Sequence, residues 1–219
     1  MPTIQYISDS FKGTTHYNNQ DGLIVVKEND YEMFIVFDGV SLSENQIEGV
    51  RIAVEYIKKN YSRFYSREVF RLDELMIETN NAIINSEWTD ALTTYCAAVI
   101  HNNRRIIVSH LGDSRIYSYT KNALIKRTDD DVIYPGSNVL TKCLGIERLK
   151  TGDFYQREID FERKLLICTD GFYELMERDS KEFADILNLS DLNRMKSAIY
   201  QEVAGNNRDD ATYILITLE

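Results

Sequence analysis

Two apolar runs of this chain close on the same pair of residues. Phe34, Ile35, Val36 and Phe37 lead into Asp38-Gly39, and Leu165, Leu166, Ile167 and Cys168 lead through Thr169 into Asp170-Gly171. Three more sites share the pattern: Asp113 in Gly112-Asp113-Ser114-Arg115, Asp21 ahead of Leu23, and Asp209-Asp210 ahead of the last apolar run. Taken singly, each reads as a turn, because Asp bonds its own neighbouring backbone and Gly frees the chain to reverse. Taken together they allow another chemistry. If strand ends bring these carboxylates to one place, they repel one another unless cations join them. Ligands that are all oxygen suit hard divalent ions such as Mg2+ or Mn2+. Such ions activate water and hold an anionic phosphoryl group.

The elements that must position these residues are short. Runs rich in Val, Ile and Tyr predict strands at 4–8, 23–28, 33–38, 94–101, 104–111, 115–119, 123–127, 164–169 and 212–218. Two long helices are predicted between them. The first spans about 44–61, with Ser43 and Gln46 as a capping box and Ile47, Val50, Ile52, Val54 and Ile57 as its apolar face. The second spans about 68–88, with Leu72, Leu75, Met76, Ala82 and Ile83 at helical spacing. Shorter helices are predicted near 179–187 and 190–204, and an irregular polar stretch, punctuated by Pro135-Gly136, over 128–160. Strands, then helices, then strands predict layered sheets and helices rather than regular βαβ winding. No repeat or linker interrupts the chain, so 1–219 reads as a single domain.

Composition removes several classes of function. A net charge of -10 argues against an extended nucleic-acid surface, which needs clustered Lys and Arg. No apolar run approaches the ~20 residues of a membrane helix, and the first residues lack the basic-then-apolar order of a secretory signal. Cys96, Cys143 and Cys168 are odd in number and unpaired in spacing, which fits a reducing compartment and a cytoplasmic protein. Cys168, on an apolar strand, reads as a buried structural thiol, and no Cys-x5-Arg signature supports a cysteine phosphatase. His101 and His110 read as packing residues, and Arg115 as a structural partner of nearby carboxylates.

With these residues in view, the chain resembles the metal-dependent serine/threonine protein phosphatases of type 2C, in their bacterial form. Asn19-Gln20-Asp21 resembles the family's early Asn-Glu-Asp motif, Phe37-Asp38-Gly39 its Phe-Asp-Gly strand end, and Thr93-Thr94 the small pair that begins a core strand. Gly112-Asp113-Ser114-Arg115 resembles its Gly-Asp-Ser-Arg hairpin, and 138–145 the segment after its flap. Cys168-Thr169-Asp170-Gly171 and Asp209-Asp210 resemble the two remaining acidic motifs. Each motif is short; their order across roughly 200 residues is what identifies the family.

The resemblance implies an α+β fold, a four-layer α-β-β-α sandwich of two antiparallel sheets flanked by helices. It implies two Mn2+ or Mg2+ ions with a weaker third. Asp38 would bridge the two ions, the Gly39 carbonyl would ligate one, and Asp170 and Asp209 the other. Asp21 would act mainly through metal-bound water, and Asp113 would serve the third site with Asp170. The implied reaction is direct attack on phosphorus by a water activated between the ions. The implied partners are a phosphorylated protein and the Ser/Thr kinase that opposes the enzyme in signalling, with no nucleic acid or membrane and a monomeric state.

Three positions depart from the pattern. His16 stands where many members carry a phosphate-gripping Arg; Gly13-Thr14-Thr15-His16 resembles the Gly-x-Ser-His of a bacterial subset, so His16 is read as a catalytic, substrate-side group. Val40 replaces a His that can act as general acid. Glu174 replaces an Asp that supports the third metal, and its longer arm shifts that site. His16 and Val40 leave open a pseudophosphatase that binds phosphoproteins without turnover. An enclosed pocket walled by 128–160 would instead indicate a phosphorylated metabolite.

Overall fold

The computed structural model of the protein describes residues 4–41, 43–120, 123–160 and 163–218. Its strands are β1 (Ile4–Phe11), β2 (Gly22–Lys27), β3 (Tyr31–Phe37), β4 (Tyr65–Ser66), β5 (Val69–Phe70), β6 (Tyr95–His101), β7 (Ile106–Leu111), β8 (Arg115–Thr120), β9 (Ala123–Lys126), β10 (Arg157–Ile159), β11 (Lys164–Cys168) and β12 (Ala211–Leu218). The α-helices are α1 (Gln46–Asn60), α2 (Leu72–Ile84), α3 (Asp170–Arg178), α4 (Ser180–Leu187) and α5 (Leu192–Val203).

The long apolar runs are explained by burial on both faces. Side chains alternate across a strand. Along β3, Met33, Ile35 and Phe37 pack against residues of α1 and α2, while Phe34 and Val36 face the opposite sheet. Along β12, Tyr213 and Leu215 pack under α3–α5, while Ile214 and Ile216 meet β3 and its neighbours. A strand covered twice has no polar face to show, so it reads as a continuous apolar run rather than an alternating one. The result is the expected four-layer sandwich. One sheet runs β1-β12-β11-β8-β9 and the other β10-β7-β6-β3-β2, with a separate β4-β5 hairpin. Pairing is antiparallel throughout the two main sheets.

Four local expectations need correction. The second helix begins at Leu72, because Tyr65-Ser66 and Val69-Phe70 pair around Arg67 and Glu68 at φ 52° and 61°, values that a right-handed helix cannot hold. Ser43 does not cap α1. It is buried, its hydroxyl donates to the Asp90 carbonyl, and the helix starts at Gln46. The irregular stretch after 128 contributes β10, which pairs with the edge of β7. Finally, α3 begins at Asp170 itself, where the sequence shows only a strand end.

Ile214 is fully buried between the sheets. Ile214→Ala should destabilise the fold by about 2–5 kcal/mol, the cost of a cavity in a core that cannot fully collapse. The urea unfolding midpoint should fall with an unchanged slope; a midpoint within error of wild type would count against the two-sided core.

Candidate metal centre

Antiparallel register assembles the site. Gly22 pairs with Phe37, so Asp21, just before β2, lies beside Asp38, just after β3. In the other sheet Cys168 pairs with Arg115 on one side and Tyr213 on the other, so Asp113, Asp170 and Asp209 leave their strands at one level. The two groups meet at one end of the sandwich. A cleft of about 450 Å3 there is lined by Asp38, Asp113, Asp170 and Asp209. A neighbouring cleft of about 420 Å3 shares Asp170 and Asp209 and adds Glu174. Glu174 lies one helical turn beyond Asp170 on α3, hence on the same face.

The Asp-Gly pairs serve close backbone approach. The Gly39 amide donates to the Gln20 carbonyl at 3.2 Å, and a Cβ on Gly39 would lie 2.8 Å from that oxygen. A Cβ on Gly171 would lie 2.2 Å from the Asp210 carbonyl. Any other residue would push the strand ends apart. The Asp38 carbonyl is fixed by the Thr93 hydroxyl and the Thr94 amide, each at 2.8 Å.

The gathered charge shows in the acidities. Burial pushes the Asp38 carboxyl well above the usual range, and the charges of Asp170, Asp21, Asp113 and Asp209 push it further. Burial raises Asp21 too, against the hydrogen bonds of Thr212 and Thr169. Asp170 is pushed up to about 7 by burial, then by Asp113 and Asp209. Asp113 is raised by its burial, with Asp130 and Glu174 adding to it. Arg115 opposes this rise at Asp113 but is largely engaged elsewhere. Arg115 is held by Asp130 at 2.7 Å and Glu177 at 2.9 Å, with its guanidinium 3.6 Å from the Tyr173 ring centroid. One oxygen of Asp21 accepts from the Thr169 hydroxyl at 2.9 Å, while the other is buried with no hydrogen-bond partner. A buried carboxylate oxygen without a donor, in a cluster that binds protons for want of positive charge, fits hard divalent cations. Asp21, Asp38, Asp113, Asp170, Glu174, Asp209 and the Gly39 carbonyl are the groups that could hold them.

Sequence reasoning missed Asp210. Its carboxylate is buried and accepts from the Gly13 amide at 2.6 Å, the Gln20 amide at 2.6 Å and His16 Nδ1 at 2.9 Å. The other ring nitrogen of His16 lies 3.5 Å from Asp209. The oxygens of Asp210 are thus spent on the loop that carries Asp21. His16, Asp209 and Asp210 form a clamp between this loop and β12, although their ligand atoms lie within 4.8 Å of one another. The resemblance singles out Asp209 of the doublet, which lines the cleft, but gives no sign that Asp210 faces the loop. His101 is buried, and His110 Nε2 contacts the Asp129 carbonyl at 2.8 Å, both outside the centre.

Comparison with known proteins agrees with this fold. A family model described as Protein phosphatase 2C matches residues 13–203. The curated serine/threonine phosphatase stp of Listeria welshimeri is 22% identical, over 92% of this chain and 90% of its own. Among solved structures, the serine/threonine phosphatase Stp1 of Staphylococcus aureus superposes with a TM-score of 0.77 at 17% identity, covering 100% of this chain and 96% of that one. The catalytic domain of the serine/threonine protein phosphatase PstP, solved with 2 manganese ions, gives 0.77 at 14% identity, covering 100% and 99%.

The raised acidities set a linkage with metal. The folded pKa of Asp170, about 7, exceeds its unfolded value. Its contribution to stability is therefore full below about pH 4 and lost as pH rises through about 7. The metal-free protein should melt lower at about pH 7.5 than at about pH 5.5, and Mn2+ should raise Tm more at the higher pH. Thermal melts with EDTA or Mn2+ at both pH values check this, and equal Mn2+ shifts would refute it.

Proposed function

The chain belongs to the protein phosphatase 2C family, and we propose that its rim of carboxylates is the active centre of a metal-dependent hydrolase acting on phosphoserine and phosphothreonine in proteins. The observation that carries this assignment is the convergence of Asp21, Asp38, Asp113, Asp170 and Asp209 from separate strand ends into one charge-starved cluster. When bound, two Mn2+ or Mg2+ ions supply the missing charge, an activated water and a hold on the phosphoryl oxygens. Asp38, which feels the charges of both Asp21 on its own sheet and Asp170 on the other, would be shared by both ions. The Gly39 carbonyl and Asp21 would help to hold one, and Asp170 and Asp209 the other. Asp113 and Glu174 would hold a weaker third.

The remaining residues orient these groups. Thr169 holds one oxygen of Asp21 and leaves the other free. Asp210 ties the loop 13–20 to the start of β12, so the segment that leads to Asp21 is fixed to the one that carries Asp209. His16 engages both members of the doublet, so its role in this proposal is to position them rather than to grip phosphate alone. Val40 has no proton to give to the departing Ser or Thr alkoxide, which takes its proton from water. The substrate is a phosphoprotein. An opposing Ser/Thr kinase, a monomeric state, a cytoplasmic location and the whole of 1–219 acting as one domain belong to the same proposal. No helix of the described residues is long and apolar enough to cross a membrane.

The test is hydrolysis of para-nitrophenyl phosphate and of a phosphothreonine peptide with Mn2+, Mg2+ or EDTA. Turnover should require metal, and Asp38→Ala should lower kcat/KM by more than the roughly 100-fold typical of losing an outer partner of a metal ligand. A folded protein with no turnover under any metal would replace the enzyme with a phosphoprotein-binding module. Asp210→Asn exchanges one accepting oxygen for an amide among three donors. It should weaken Mn2+ affinity by roughly 10-fold or more while the protein stays folded, read as a rise in the Mn2+ activation midpoint.

A further inference from the structure

The centre opens into two clefts of opposite character. They share Asn138, Asp170 and Asp209. The first is walled by Val40, Leu92, Val139, Leu140 and Ile146, and no Lys or Arg among the described residues lines it. The second is lined by Thr15, Asn206, Arg178 and Arg208, together with Glu174. In a chain of net charge -10, the two cations that line these clefts among the described residues thus stand on one side of the centre.

The two arginines are available. Arg178 ion-pairs with Asp179 at 3.1 Å, but both side chains are more than half exposed, at 64% and 52%, and such a pair exchanges readily with water and other anions. Among the described residues, no side chain or backbone group pairs with the Arg208 guanidinium. Its backbone, by contrast, is fixed. The Arg208 carbonyl accepts from the Thr15 amide at 3.2 Å and from the Thr15 hydroxyl at 2.7 Å, and Asp209 follows it directly. The planar donor fork of Arg matches a carboxylate or phosphate. It is anchored next to the reacting centre and has no internal partner to displace.

Resting on the phosphatase reading, we propose that Arg208, with Arg178 beside it, determines specificity by receiving an anionic side chain that flanks the phosphoresidue. The substrate chain then crosses the centre with an acidic or second phosphorylated residue on the arginine side and an apolar residue against Val139 and Leu140. Coulomb attraction to the two guanidiniums offsets the repulsion that Glu174 and the acidic surface impose on such a peptide.

The experiment uses phosphothreonine peptides of one sequence whose flanking residues are Asp, phosphoserine, Ala or Lys on either side. They are ranked by kcat/KM with Mn2+ at low salt, and by fluorescence anisotropy without turnover. Wild type should prefer the Asp or phosphoserine flank over Ala by roughly five-fold or more, the scale of one or two exposed ion pairs. The preference should fall on one side only, and added salt should reduce it. Taking the ratio within each protein cancels any change in the chemical step. In the Arg178→Ala, Arg208→Ala double variant that ratio should collapse toward one, and Arg208→Glu should turn it toward Lys. An Asp preference without a phosphoserine preference would assign the cleft to carboxylates. Equal ranking in wild type and variants would overturn the proposal. Peptide preference in binding, with no hydrolysis of any peptide, would retain the arginine cleft and reject the phosphatase reading instead.

Discussion

Everything at the working end of this molecule depends on carboxylates held closer than they would choose to be. Asp38 and Asp170 sit where burial and neighbouring carboxylates oppose ionisation. Such a cluster cannot be a by-product of turn chemistry. A turn aspartate is solvated and serves its own backbone, whereas the free oxygen of Asp21 is buried and serves nothing in the chain. The fold supplies the force that opposes the repulsion. Two sheets buried on both faces fix strand ends that are far apart in sequence, and their hydrogen-bond register leaves them no freedom to splay.

The same constraint explains the glycines and the threonines. Gly39 and Gly171 let backbones approach to distances that a Cβ would forbid. Thr93, Thr94 and Thr169 then fill the space with hydroxyl and amide donors aimed at the aspartates. Polar groups this deep must be paired, and here most are paired with one another. The oxygen of Asp21 left unpaired is the one a cation could complete. Positive charge inside the protein serves elsewhere. Arg115 braces the outer carboxylates Asp130 and Glu177 against the Tyr173 ring and leaves the centre anionic.

Much of this was legible in the sequence because a strand end is a local pattern. An apolar run stopping on Asp-Gly announces both the strand and the exposed carboxylate, and its recurrence announces the cluster. The layered architecture followed from the order of runs. What was hidden depends on partners remote in sequence. The α3 helix starts at the metal-ligand candidate Asp170; Thr169 sits at its N-cap, but its hydroxyl is spent on Asp21 and the Thr212 amide rather than on the helix. Ser43 and Gln46 have the spacing of a capping box, but Asp90 claims the serine. The division of labour between Asp209 and Asp210 is set by the loop at 13–20, which lies nearly 200 residues upstream, as the separation of 197 between Gly13 and Asp210 shows.

That last separation has a meaning for how the protein comes into being. β12 pairs with β1 on one side and β11 on the other, and it carries the doublet that closes the centre. Contacts of such long range form late, because the loop they close must be ordered before they reward it. A ribosome that has released everything up to α5 has made a chain with Asp21, Asp38, Asp113 and Asp170 but no Asp209 and no anchor for the loop at 13–20. During synthesis the acidic residues are therefore present long before they are gathered. The last strand to leave the ribosome both completes the sheet and anchors the loop at 13–20, so the cluster is assembled only once the chain is translated and folded through β12.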